Sequence, residues 1–208
     1  MSIELWLALA AASAVLLIIP GPTILTVISY SMAHGRRANV PLVAAVALGD
    51  STALVVSLLG LGALLAASSF WFTVVKWMGG LYLLYLGVRL LRAGISPTQL
   101  APPTTPGSRW RLFANTYLVT ALNPKGIVFY VAFFPLFLSA DKPLLPQILT
   151  FGATFLVMAT FNAALYAMMA GQVTRFLKGY RARKNLNRAA GGILLVTAGL
   201  LGLAKRTA

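Results

Sequence analysis

Two long apolar runs in this chain are each interrupted by a proline motif. Pro20-Gly21-Pro22 lies inside the run from Ile3 to Tyr30, and Asn123-Pro124-Lys125-Gly126 lies inside the run from Leu112 to Leu138. A proline within a helix deletes one backbone hydrogen bond and clashes with the preceding turn, and hydrocarbon has no water with which to satisfy the carbonyl set free. Such breaks require a cavity lined by protein or water. A matched pair of them, one in each half of a membrane chain, is a sequence signature of a transporter's substrate site.

The surrounding composition fits a membrane solvent. Of 208 residues, 59% are hydrophobic and only 10% are charged, and the mean hydropathy is +0.85. A soluble domain carries about 25% charged residues. Several stretches exceed the roughly 20 apolar residues that cross a bilayer core, which leaves no length for a separate soluble domain. Spans are expected at about 3–31, 39–67, 70–92, 111–139, 144–174 and 188–204, the last being the shortest. The apolar run at the N-terminus is too long for a signal peptide core and reads as a retained first helix.

The formal charge is +14, from 17 Lys and Arg against Glu4, Asp50 and Asp141. Nucleic-acid binding is the reading that such a balance invites, but the placement of the charges opposes it. Arg36 and Arg37, then Arg89, Arg92, Arg109 and Arg111, then Arg175, Lys178, Arg181, Arg183, Lys184 and Arg188 all fall in or beside the odd-numbered connections. The opposite side holds Lys142, Lys205 and Arg206. The excess predicts cytoplasmic odd loops and termini that face outward. The chain has no cysteine, which excludes disulfides and thiolate chemistry, and its single histidine, His34, lies in a loop. No Walker-type glycine loop, catalytic triad or metal-ligand cluster is available, so neither an enzyme nor a metal site is expected.

Three helices followed by three helices invert the second half relative to the first. The expected fold is therefore an all-α membrane protein of six helices in a 3+3 inverted repeat, with helices 1 and 4 broken. The chain forms one transporter domain over 1–208, with repeat 1 at about 1–92, a proline-rich cytoplasmic linker at about 93–110 and repeat 2 at about 111–208. Pro20 precedes Gly49 by 29 residues and Pro124 precedes Gly152 by 28, each glycine in the second helix of its half. Gly60 with Gly62, Gly79 with Gly80 and Gly191 with Gly192 suit close packing, within the bundle or across a homodimer interface.

The candidate substrate site comprises Pro20, Gly21, Pro22, Thr23, Asp50, Asn123, Pro124, Lys125 and Gly126. Pro20 and Pro22 free the carbonyls of Leu16 and Ile18, Pro124 frees that of Thr120, and the half-helix starting near Thr23 directs N–H groups into the bundle. Asp50 is the one acid deep in a span and Lys125 the cation at matching depth, so a pair is expected, either serving transport and proton coupling or standing as a permanent salt bridge. Tyr82, Tyr85, Tyr117, Tyr130, Asn115 and Asn162 suit a polar path or interhelical bonding equally.

With these residues in view, the chain resembles the LysE/RhtB family of bacterial amino-acid exporters. The resemblance covers the whole chain and rests on Pro20-Gly21-Pro22, Gly49-Asp50, the run Leu81-Tyr82-Leu83-Leu84-Tyr85-Leu86-Gly87 after Lys76, and Asn123-Pro124-Lys125-Gly126. It implies export of amino acids across the bacterial inner membrane, driven by proton motive force, with no prosthetic group. In such an exporter the N-terminus near Thr23 and Lys125 would take the substrate carboxylate. Asp50 and the freed carbonyls would take its ammonium. An exporter of another small solute on the same scaffold and a non-transporting assembly subunit are the rival readings.

Overall fold

In a computed structural model, the protein is described over residues 3–67, 108–138 and 142–178, with isolated positions between 70 and 92 and between 185 and 192. All regular structure among the described residues is helical. Helix α1 spans Ile3–Ile18 and α2 spans Pro22–His34. The second ends at Gly35, whose φ of 67° is the left-handed conformation that glycine adopts without a Cβ penalty. A 3-10 turn, Gly35–Ala38, leads into the long α3, Asn39–Ala67.

Helix α4 spans Arg109–Ala121 and starts on Ser108, whose side chain accepts the N–H of Arg111. After it come a short α5, Pro124–Val128, a π-helical turn at Phe129–Phe133 and a 3-10 turn at Phe134–Phe137. Helix α6 spans Leu144–Met168, and α7, Ala170–Lys178, follows a break at Met169. Both expected interruptions are present, at residues 19–21 and 122–123. The expected second span, 39–67, matches α3, and the expected fifth is divided between α6 and α7. Apart from those isolated positions, the spans expected at 70–92 and 188–204, with Lys76, Trp71 and Tyr82, lie outside the described residues.

Helix α3 packs most extensively against α4 and next against α6. The buried apolar residues form three clusters along the bundle. Leu9, Phe134 and Phe151 lie at one end, and Leu16, Ile19, Leu54, Phe129, Phe155 and Ala159 occupy the middle. Ile24, Val27, Ile28, Leu42, Val46, Leu112 and Ala163 lie toward the arginines that follow α2. Apolar side chains also cover the outside: Leu48, Val56 and Leu59 of α3 and Leu149, Val157 and Phe161 of α6 are exposed. A helix apolar all round suits lipid, and α6 and the Pro22–Gly60 segment are both long and apolar enough to cross a bilayer.

The expected glycine correspondence holds different kinds of contact. A Cβ on Gly49 would lie 2.7 Å from Thr120 Cβ and 3.0 Å from the Tyr117 carbonyl, so its absence lets α3 and α4 touch. At Gly152 the neighbour is only the tip of Leu54, 3.0 Å away. Among the described residues, a Cβ on Gly60 or Gly62 would meet nothing within 4 Å.

Candidate functional site

The two breaks meet. A cavity of about 50 Å³ lies between them, lined by Leu16, Ile19, Gly21 and Thr23 from the first and by Asn123, Lys125 and Gly126 from the second. Asp50 of α3 and Asn162 of α6 complete its polar lining. The apolar wall comes from the middle cluster and from Ile24 and Val46, so apolar clusters flank the polar space along the bundle axis. The sequence-predicted residues that line the space are Gly21, Thr23, Asp50, Asn123, Lys125 and Gly126. Pro20, Pro22 and Pro124 act through the backbone instead, by ending one helix or beginning the next.

The prolines set free the carbonyls of α1, and the structure shows what takes them. The Lys125 ammonium donates to the carbonyls of Leu16 at 2.6 Å and Ile19 at 2.7 Å. Asn162 donates to the carbonyl of Leu17 at 3.1 Å, and the Tyr166 hydroxyl to that of Ile18 at 2.7 Å. Four consecutive carbonyls are thus satisfied by three side chains of the second half. The carbonyls of Leu16 and Ile18, expected to stand open for substrate, are occupied. So is the Thr120 carbonyl, which accepts the N–H of Asn123 at 3.1 Å.

Lys125 therefore does not pair directly with Asp50. The ammonium sits at the end of α1, where the helix dipole favours a cation and two bare carbonyls lie within hydrogen-bond reach. Asp50 instead accepts from the hydroxyl of Tyr130 at 3.3 Å. That contact is long for an O–H···O bond, and a carboxylate has about four acceptor positions, so Asp50 keeps capacity for further donors. Tyr130 reaches it from the π turn, the kind of helical irregularity that recurs at functional sites. Gly126 lies beside this pair: a Cβ there would stand in ordinary contact with Tyr130 at 3.7 Å and Asp50 at 4.0 Å.

The helix starts at the two breaks are also defined. Gly21 precedes α2 without a side-chain cap, while Asn123 caps α5 by accepting the N–H of Lys125 at 3.1 Å. The amide of Asn123 donates to Thr23 Oγ1 at 3.0 Å and joins the two breaks. Of the polar-path candidates, Asn115 bonds Tyr30 at 3.1 Å and Tyr117 lies 3.2 Å from Thr52, both as interhelical pairs outside the cavity. Sequence reasoning did not single out Tyr166. Its signal was its spacing from Asn162, two polar residues four apart on one face of an otherwise apolar helix.

Residues 14–205 match the family model described as LysE type translocator. The chain belongs to the LysE family. Its relatives include the homoserine/homoserine lactone efflux protein of Salmonella typhimurium, 33% identical over 205 residues and covering 99% of each chain. An uncharacterized membrane protein of Vibrio cholerae is 29% identical over 205 residues, covering 99% of this chain and 100% of the relative. The leucine efflux protein of Salmonella choleraesuis is 27% identical over 182 residues, covering 87% and 86%. No solved structure gives a significant match. A LysE chain is a membrane translocator and not an enzyme.

Proposed function

We propose that this LysE-family protein is a secondary exporter of amino acids or close derivatives, moving them out across the bacterial inner membrane in exchange for protons. The observation that carries the reading is the polar cavity in which both helix breaks, Asp50 and Lys125 converge in an apolar bundle. A purely structural subunit has no need of it. The relatives' names add a chemical constraint: homoserine, homoserine lactone and leucine share an amino group, whereas the lactone carries no free carboxylate. Recognition of the amino group is then the common requirement.

Small-molecule pockets enclose about 300 Å³ or more, against about 50 Å³ here, which has room for a few waters. A substrate enters only if the halves separate. Alternating access supplies that motion, with one three-helix repeat rocking against the other about the midplane. In this scheme six spans form the inverted repeat, the odd loops are cytoplasmic and both termini are periplasmic. The uncapped start of α2 at Thr23 receives a carboxylate where the substrate has one. Asp50, with acceptor capacity to spare, carries the proton and gives it up when a further ammonium enters the cavity.

Efflux from cells loaded with dipeptides tests the reading. Expression is expected to speed loss of particular amino acids at least tenfold, an uncoupler to abolish the gain, and Asp50→Asn to abolish it while leaving folded protein in the membrane. Undiminished export by Asp50→Asn would remove the proton role, and no accelerated efflux of any amino acid would remove the function.

A further inference from the structure

We propose that the carbonyls of Leu16 and Ile19 are the amino-group subsite of this protein, and that the ammonium of Lys125 fills that subsite whenever substrate is absent. The inference rests on the exporter reading above and assigns a function to a contact which that reading leaves unused. Four carbonyls end α1, but only two of them, those of Leu16 and Ile19, hold a cation. Those of Leu17 and Ile18 are held by the neutral groups of Asn162 and Tyr166. A pair of carbonyls at a helix C-terminus, already holding one primary ammonium at 2.6 and 2.7 Å, has the geometry to hold another.

At the two carbonyls the exchange is balanced in charge and in hydrogen bonds, and the added positive charge in the cavity is met by the Asp50 carboxylate. One ammonium leaves the carbonyls and another arrives, so neither carbonyl is stranded in a space without bulk water. The lysine has a long flexible stem and three donors, and the cavity that its ammonium would enter contains the carboxylate of Asp50, which can accept from it. The stem has room to move because residue 21 is glycine: a Cβ there would stand 3.4 Å from Lys125 Cδ. Substrate selection follows from the exchange. A hydroxy acid of the same shape brings no cation, so it cannot displace Lys125 and is excluded.

Lys125 is thus an internal competitor as well as a helix cap. Removing it weakens the join between the halves but opens the subsite. n-Butylammonium matches the lysine side chain beyond Cα in length and charge, and n-butanol matches its length alone. With the full-length Lys125→Ala protein in detergent, saturating butylammonium is expected to raise the unfolding midpoint by about 5 °C. Butanol should have no such effect, and wild type, whose own lysine competes, should respond more weakly to the amine at the same concentration. Lys125→Gln, whose amide still donates to a carbonyl, guards against failure of the alanine variant to fold. It should bind butylammonium at least tenfold more tightly than wild type.

Equal responses to the amine and the alcohol, or equal amine affinity in Lys125→Gln and wild type, would overturn the subsite even if the protein exports amino acids. Amine-selective binding by the variants in a protein that exports no amino acid would keep the subsite and discard the exporter reading. The two failures are therefore separable.

Discussion

The two helix breaks look alike in sequence and are held together in opposite ways. At the second, the chain caps itself: Asn123 accepts the N–H of Lys125, and the Thr120 carbonyl accepts the N–H of Asn123. At the first, the carbonyl end of α1 relies on Lys125, Asn162 and Tyr166, partners 106 to 148 residues away in sequence. The difference follows from residue type. Asparagine before a proline supplies its own cap, whereas the proline-glycine-proline sequence has no side-chain donor or acceptor to offer. One break is a local structure, and the other is a joint between the halves. Under the alternating-access scheme proposed above, such a joint is a place where ligand can replace protein as the partner.

That contrast can be broken by substitution. The contact that seats α4 just before its break is the most sensitive point, because a side chain on Gly49 meets Thr120 Cβ and the Tyr117 carbonyl. Gly49→Val is expected to cost about 3 kcal/mol or more by overpacking. Gly152→Val should cost far less, since the Leu54 tip can yield. Thermal unfolding in detergent checks both, and equal losses would show that the glycines serve alike.

Removing two caps from the first break comes next. Asn162→Ala with Tyr166→Phe strands the Leu17 and Ile18 carbonyls and should cost about 1–2 kcal/mol for each bond, measured as reduced stability to denaturant. If the first break were as self-sufficient as the second, the double variant would unfold like wild type. At the second break, Asn123→Ala removes one cap and the bond to Thr23, for a loss of about 1 kcal/mol, and Asn123→Asp should recover the cap portion. A larger loss than that of the double variant would reverse the contrast.

The smallest effect is expected at Gly60, away from both breaks. Gly60→Ala should change stability by less than about 1 kcal/mol, because no described residue lies within 4 Å of the added methyl. A change in molecular mass by light scattering would assign that face to a homodimer.

Much of the fold was legible because its causes are local. A proline lacks an N–H wherever it stands, so the breaks near residues 20 and 123 could be placed from the sequence. The length of α3, 39–67, followed from an uninterrupted apolar run. Asp50 and Lys125 could be nominated for the cavity because a charge in hydrocarbon must turn inward. Their expected pairing was less secure, since it assumed that each was the other's best partner. The bend at Met169 has no breaker residue at that position, and the π turn at Phe129–Phe133 is marked only by Pro135, whose missing N–H falls opposite the Val131 carbonyl.

By itself, then, the sequence determined that this chain forms apolar helices, that two are broken, and that polar groups must gather at the breaks. Each of these depends on what a residue does to its own backbone and on the hydration it would lose. Only the tertiary structure decided which groups meet: that Lys125 turns to the end of α1, that Tyr130 takes Asp50, and that Asn162 and Tyr166 finish the cap. Hydrogen-bond partners are chosen by distance after the helices have packed, and no spacing along the chain encodes that distance.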